Sequence, residues 1–562
     1  MLKNYFTIGW RNLVKAKGYS FINIGGLALG MSVAMIIGLW VNDELSFNKY
    51  HDNYDRIGQI MKGGTFQGKH YSGQTYLQYP MIQELKTTYG ANFEHVVPMS
   101  GSFEAVLSID DRKVNKRGMN MGEGAPEMFT WKMIHGQRTG FNDPQSIMIS
   151  ASTAVSLFGD ADPVGKGIKF NNEKELTVSG VFEDFPKNST FYGVQFGRPW
   201  TGYEIDNPWL KQQSWQNHFL QIYVLIAPNT TFEQVGENIR NLEVNIFRDM
   251  PSMQEAMKYS FEDMVNPMSR WHLYSDYKEG VLQSGPIQLV WFIGSIGVFV
   301  LLLACINFMN LSTARSEKRA KEVGIRKTLG SVRKQLIGQF FAESFLTVFI
   351  SFVFAIVLVF GLLPYFNTIS GKDLSIPWSQ LTFWATCATF LFVTGILAGS
   401  YPAFYLSSFN PLTILKGTFR ASRLAAIPRK MLVVVQFTVS VMLIACTGVI
   451  YHQLMFVKNR PVGYSRDGLL MIQKKGKTFF DKYEALRTEL KATGAVTEVA
   501  DAGGPITTVW SGNGGFSWKG YDPLEENNFG TLKISTDFGR TVGWKFIEGR
   551  DFSENIASDS SG

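Results

Sequence analysis

Gly63-x-x-x-x-Gly68-Lys69 has the spacing of a phosphate-cradling loop, but His70 follows where such a loop needs a hydroxyl to hold Mg²⁺, so nucleotide binding is not expected there. The 7 His are scattered, and none forms the His-Glu-x-x-His spacing or another compact metal set. No Gly-x-Ser-x-Gly elbow is there to expose a nucleophile. Cys305, Cys387 and Cys446 all fall in long apolar runs, which leaves no thiol in the polar regions for a disulfide or a Cys-based metal site. These patterns predict no catalytic residue, no metal site and no cofactor for the chain itself.

The chemistry that does stand out is charge beside apolar runs. Residues 310–335 carry 8 Lys or Arg against 2 Glu. From Ala314 to Leu329 the stretch is rich in good helix formers, Gly330 can take a left-handed stop, and Ser331 can cap the helix that follows. Glu322, Ile325, Arg326 and Leu329 recur at i, i+3, i+4 and i+7, one mixed face suited to a partner's groove. A solvated basic loop that only sets membrane orientation fits the same residues, and the pattern alone leaves both readings open. A second set, Asn23, Glu343 and Gln436, is polar within apolar surroundings. A hydrogen bond between helices is the expected role of Asn23, and Gln436, like Glu343, is expected to serve structure rather than proton transfer. Glu343, near the start of its run, is expected to pair with a base of the loop or reach the interface rather than to transfer protons. Trp200, Trp209 and Trp215 are read as aromatic core rather than a ligand surface.

These residues need elements to hold them. About 20 apolar residues cross a bilayer as a helix, and five runs qualify: 21–41, 287–309, 336–363, 381–404 and 431–450. The first is too long for a signal-peptide core and lacks a cleavage site after it, so it should stay as an anchor. Gly26-x-x-x-Gly30 and Gly395-x-x-x-Gly399 should let helix backbones approach closely. Residues 1–20, 310–335 and 405–430 together carry a charge of +15 against +7 for the whole chain, so the remainder is near −8. Lys and Arg concentrated in short flanks place those three segments in the cytoplasm, with the N-terminus inside. The basic balance is therefore topological, and nucleic acid is excluded as a partner.

Residues 1–20 read as an amphipathic lead-in lying on the inner membrane surface, with Phe6, Trp10, Leu13 and Val14 opposite Arg11, Lys15 and Lys17. Residues 42–286 form a large extracytoplasmic domain of α+β type. Strands are expected at 176–182 and 219–225. One helix should follow a Thr231/Gln234 capping box, with Val235, Ile239, Leu242 and Ile246 on its buried face. The third and fourth spans should be joined by a short turn over 364–380, and a surface helix within 407–417 should be capped by Asn410 and Pro411 and stopped by Gly417. Residues 451–562 start a second outer region. Met128-Phe-Thr-Trp131-Lys-Met-Ile-His-Gly136 is echoed by Thr541-Val-Gly-Trp544-Lys-Phe-Ile-Glu-Gly549, each after a basic flank and an apolar span. The expectation is an internal duplication whose second outer domain is incomplete.

The segment Ala304 to Gly330, followed by Gln339-Phe-Phe-Ala-Glu-Ser344, resembles the connection between the second and third helices of MacB/FtsX-family ABC transporter permeases. Arg11 to Gly18, Asn23 to Gly30, Ser150 to Gly167 and Tyr401-Pro-Ala-Phe404 are similar to that family too. The resemblance implies a polytopic α-helical protein of the bacterial inner membrane with MacB-like periplasmic core domains. It is of the tandem eight-span kind, of which five spans are present. It also implies a separate ABC ATPase, as a dimer carrying the ATP and Mg²⁺, docked on Glu322, Ile325, Arg326, Leu329 and Gly330. ATP-driven closure would be relayed to the outer domains, and a periplasmic adaptor, an outer-membrane channel and membrane lipids are further implied partners. Efflux, or handling of lipoproteins, peptides or lipids, is the implied work. The alternative is a receptor, or a regulator of cell-wall enzymes, that transports nothing.

Overall fold

The computed structural model describes residues 2–66, 69–212, 214–253, 260–278, 281–314, 323–408, 427–474, 482–508, 511–514, 516–521 and 528–560. Glu322, Gly68 and the helix expected around Asn410, Pro411 and Gly417 lie outside the described residues.

Five described helices are long and apolar enough to cross a membrane: Lys17–Leu45, Ile287–Ala314, Arg333–Ser370, Leu381–Ser407 and Lys430–Asn459. The first packs on the second and third, and the third on the fourth. Small residues permit the approach. A Cβ on Gly30 would lie 2.4 Å from the Ala304 Cβ of the second helix, and one on Gly395 would lie 2.3 Å from the Phe345 ring of the third. Gly399 meets Phe341 and Ser344 at 3.0 Å, whereas Gly26 is looser, 3.5 Å from Asn307. Leu27, Met31, Cys305, Phe308, Val348, Phe352 and Ala398 close the seam. The fifth helix packs on the second and leaves most of its apolar side chains exposed.

Two helix boundaries differ from the sequence expectation. The lead-in helix Leu2–Lys15 breaks at Ala16 (φ −115°, ψ 54°), so the first long helix starts at Lys17 rather than after residue 20. The Ser20 hydroxyl donates to the Leu13 carbonyl across the break at 2.8 Å. At the other end the third helix runs through Pro364 to Ser370, where a turn was expected. Proline is tolerated in membrane helices when neighbouring groups re-satisfy the backbone. The Thr368 hydroxyl donates back to the Pro364 carbonyl at 3.0 Å in the last turns, and the helix stops where Gly371 adopts φ +67°.

Between the first and second spans sits a mixed α+β domain built on a 13-stranded sheet. Most of its pairings are antiparallel. Ser146–Ser150 beside Lys174–Phe182, and Arg112–Met121 beside Phe196–Pro199, are parallel. The central strand His218–Ile226 pairs with Ile57–Phe66 on one side and Phe93–Met99 on the other. Its side chains alternate between two cores, as a pleat requires. Leu220, Ile222, Val224 and Ile226 join Leu77, Met81, Val235 and Ile239, while Tyr223 and Leu225 join Ile57, Phe129, Trp131 and Phe191. Burial on both faces is why this strand reads as an unbroken apolar run. Trp200 is buried in the first of these cores with Trp215 packed against it, and Trp209 is exposed.

The Thr231 capping box forms in both directions, yet the expected single helix is two: Phe232–Ile239 and Leu242–Arg248. Strand Ser260–Pro267 divides them. The Asp263 N–H donates to the Arg240 carbonyl, and the Asp263 carboxylate accepts the Glu243 N–H, both at 3.0 Å. Val235, Ile239 and Leu242 remain fully buried across the break. The Gly63 segment is a β-hairpin, Ile57–Phe66 against Lys69–Gln74, with no helix N-terminus to cradle a phosphate.

Both repeat copies share local geometry. Helix Ala125–Met128 leads to Thr130 at φ +49° and Gly136 at φ +76°; helix Phe538–Val542 leads to Gly543 at φ +71° and Gly549 at φ +84°.

A candidate coupling site at the basic end of the helix bundle

The helical turns at 323–328 are short, and tertiary contacts hold them in place. Val323 is buried among Leu336, Phe340, Ala403 and Leu406, which belong to the adjoining ends of the third and fourth spans. The Lys327 ammonium donates to the Ser407 carbonyl at 2.8 Å, a cation at the C-terminus of the fourth helix. Burial, with the neighbouring Arg333 charge, lowers Lys327 below its ordinary range. The turns end in a Schellman arrangement. Gly330 N–H donates to the Lys327 carbonyl at 3.1 Å and Ser331 N–H to the Arg326 carbonyl at 3.0 Å, with Gly330 at φ +96°. The expected Ser331 cap is displaced by one residue. Val332 occupies the cap position, and the Gln335 side chain accepts its N–H at 3.3 Å.

The face proposed from spacing splits on inspection. Ile325 and Leu329 point outward, 51% and 80% exposed, and Val332 is 56% exposed. Arg326 turns inward, and its guanidinium donates to Gln339 Oε1. Gln339 donates from Nε2 to Glu343 Oε1 at 3.1 Å, and Asn12 Nδ2 donates to the same oxygen at 3.2 Å. Glu343 thus reaches the loop's base through Gln339. The lead-in helix comes close because Gly9 lies against Glu343 and Leu346, leaving Trp10 and Val14 exposed on its far side. Sequence reasoning missed Asn12 and Lys327. The spacing of Gly9 and Asn12 on one helical face was the available signal for Asn12.

Asn12, Asn23, Ser312, Glu343, Ser344 and Thr347 also line a cavity of about 40 Å³. Asn23 Nδ2 donates to the Tyr19 carbonyl at 3.1 Å, while its buried Oδ1 has no hydrogen-bond partner within the described protein. Polar lining of that size suits bound water. Gln436 lies apart from this group. Its Oε1 accepts from Asn310 Nδ2 at 3.3 Å and ties the fifth span to the second. Among the described residues no group of three or more His, Cys, Asp or Glu could hold a metal ion.

Comparison with known proteins finds two family matches. Residues 20–242 match the family described as MacB-like periplasmic core domain, and residues 294–411 match FtsX-like permease C-terminal. The macrolide export ATP-binding/permease protein MacB of Bdellovibrio bacteriovorus is 25% identical over 282 residues, 48% of this chain and 38% of that protein. An uncharacterized ABC transporter permease, YknZ of Bacillus subtilis, is 32% identical over 127 residues, 22% of this chain and 30% of that protein. The match therefore spans well under half the length of these relatives. A solved domain of a permease protein from Porphyromonas gingivalis, 24% identical, covers 39% of this chain and 91% of that domain at a TM-score of 0.31.

Proposed function

We propose that this chain, which belongs to the MacB/FtsX family of ABC transporter permeases, is a membrane subunit that relays the motion of a separate ABC ATPase to its extracytoplasmic domains. One observation carries the reading. Ile325 on the short helix, Leu329 at its end and Val332 at the cap of the third span are exposed apolar side chains, and Val323, Arg326 and Lys327 clamp the short helix to the third and fourth spans. A partner gripping those side chains moves two membrane helices together. In this reading ATP and Mg²⁺ belong to the ATPase dimer, and the permease contributes no catalytic group. The basic flanks put this end and the N-terminus in the cytoplasm of a bacterial inner membrane, with the large domain outside. A periplasmic adaptor and an outer-membrane channel would complete an export path, with antibiotics, peptides, lipids or lipoproteins as cargo. MacB relatives are named for macrolide export, which makes amphipathic antibiotics the first class to try.

The test is association with the cognate ATPase in lipid nanodiscs. Ile325→Asp and Leu329→Asp should weaken binding about tenfold or more while membrane insertion is unchanged, the loss expected when a charge enters an apolar anchor. Binding at wild-type strength in both variants would overturn the reading, and a chain that binds no ATPase would favour the receptor alternative.

A further inference from the structure

The inserted domain is joined covalently to the first and second spans, whereas the candidate coupling helix is clamped to the third and fourth. Motion of the third and fourth spans must therefore cross to the first and second before it reaches the domain. The structure shows a polar contact at the domain end where this crossing is direct. Gly371 ends the third helix, and the next residue, Lys372, places its ammonium 2.9 Å from Asp43 Oδ2 and 2.9 Å from Glu44 Oε1 at the end of the first span. The other oxygen of Glu44 lies 2.5 Å from His272 Nε2 of the inserted domain. The His272 ring stacks on Phe47 with centroids 3.7 Å apart and planes at 10°. Asp373 adds a second bridge, 3.0 Å to Lys187 of the domain.

Neighbouring packing fixes both sides. Leu374 and Ile376 from the same turn are buried against Ile36, Val359 and Leu363 of the first and third spans. On the domain side, Leu273 packs with Ile287 and Val290 of the second span and with Trp40 and Val41 of the first. Asn48, just past the first span, exchanges hydrogen bonds with Thr190 at 2.9 and 2.7 Å and donates its N–H to the Asn188 carbonyl at 2.8 Å. Lys372 is the group common to the turn and the first-span carboxylates. Its side chain is 13% exposed, that of Glu44 9% and that of Asp43 20%, so removing the lysine takes from two part-buried carboxylates the cation they share. Burial alone would lower the lysine, but Asp43 and Glu44 outweigh it and hold the ammonium above its ordinary range.

We propose that Lys372, held by Asp43 and Glu44 and backed by His272 on Phe47, is the positioning residue through which displacement of the third and fourth spans reaches the inserted domain. This rests on the relay reading above. It also assigns the short turn between the third and fourth spans a role beyond connection.

The experiment uses the full chain with its ATPase in nanodiscs and reads amide hydrogen exchange with and without Mg-ATP. ATPase association is measured in the same samples. Wild type should show an ATP-dependent change in exchange at residues 187–190 and 268–273. Lys372→Gln should keep ATPase association and lose that change by about tenfold, a typical size for coupling between sites. Lys372→Arg, which keeps the charge, should retain it. Loss in the Gln variant with recovery in the Arg variant separates charge from a general packing defect. If Lys372→Gln binds ATPase and responds as wild type does, the joint is overturned and the docking reading stands. If wild type binds no ATPase, the docking reading falls and the joint with it.

Discussion

A methyl group on Gly30 would sit 2.4 Å from the Ala304 Cβ, whereas one on Gly26, a turn earlier, would find Asn307 at an ordinary 3.5 Å. The two glycines of one motif therefore differ in consequence. Gly30→Ala should destabilise the bundle by about 1–3 kcal/mol, the usual range for overpacking, while Gly26→Ala should be close to neutral. Thermal unfolding of the two variants in the same detergent checks the contrast. His51 offers a second residue-scale prediction. It is buried, its Nδ1 donates to the Phe129 carbonyl at 2.6 Å, and its Nε2 accepts from the Ser189 hydroxyl at 3.3 Å. Burial pushes the imidazole down to about 4, with the Phe129 carbonyl opposing. The unfolded chain takes up that proton near 6.5 and the folded one does not, so stability is intact above 6.5 and falls as pH drops toward 4. The full effect is about 3 kcal/mol. Trp fluorescence should show a lower melting temperature at pH 4.5 than at pH 7, with a shallower pH slope in His51→Gln.

The short helix at 323–328 depends on two kinds of information, and only one of them was legible in the sequence. Apolar run length, the paired glycines and the left-handed stop at Gly330 are local properties, so the spans and the end of this helix could be located from residues alone. The direction of Arg326 could not. Spacing put it beside Ile325 and Leu329, but Gln339 on the next helix draws it inward. The helix over 231–246 was misread for the same reason, because Asp263 cuts it from a strand far along the chain. Pro364 signalled a stop, yet the helix continues through it to Ser370. Lys372 was read only as part of a connecting turn, because its partners Asp43 and Glu44 lie about 330 residues earlier and Glu44's other partner, His272, lies in the inserted domain. At this scale the bridge from Arg326 through Gln339 to Glu343 predicts a measurable role for its middle member. Gln339→Leu should lower thermal stability by about 1–3 kcal/mol, the cost of leaving buried polar groups without that partner. It should also reduce protection of residues 323–328 in hydrogen exchange, while Gln339→Glu should preserve part of the contact to Arg326.

Across the whole molecule, the 38-residue third helix has the described bases Lys327 and Arg333 at one end and, just past the other, Lys372 against the last turn of the first span. At 1.5 Å per residue that helix is about 57 Å long, enough to cross the bilayer and touch partners on both sides. Its basic end carries the clamp to residues 323–330, and its domain end leads into Lys372. The turns around Trp131 and Trp544 share a short helix followed by left-handed residues at matching positions. Everything in this account turns on the identity of whatever sits on Ile325 and Leu329. Photo-crosslinking amino acids placed at 325, 329 and, as a control, at the exposed Trp209 of the domain test that most directly in cells expressing the cognate ATPase. The account predicts ATPase adducts from 325 and 329 and none from 209; an ATPase that co-purifies with the chain yet gives no adduct from 325 or 329 would contradict it.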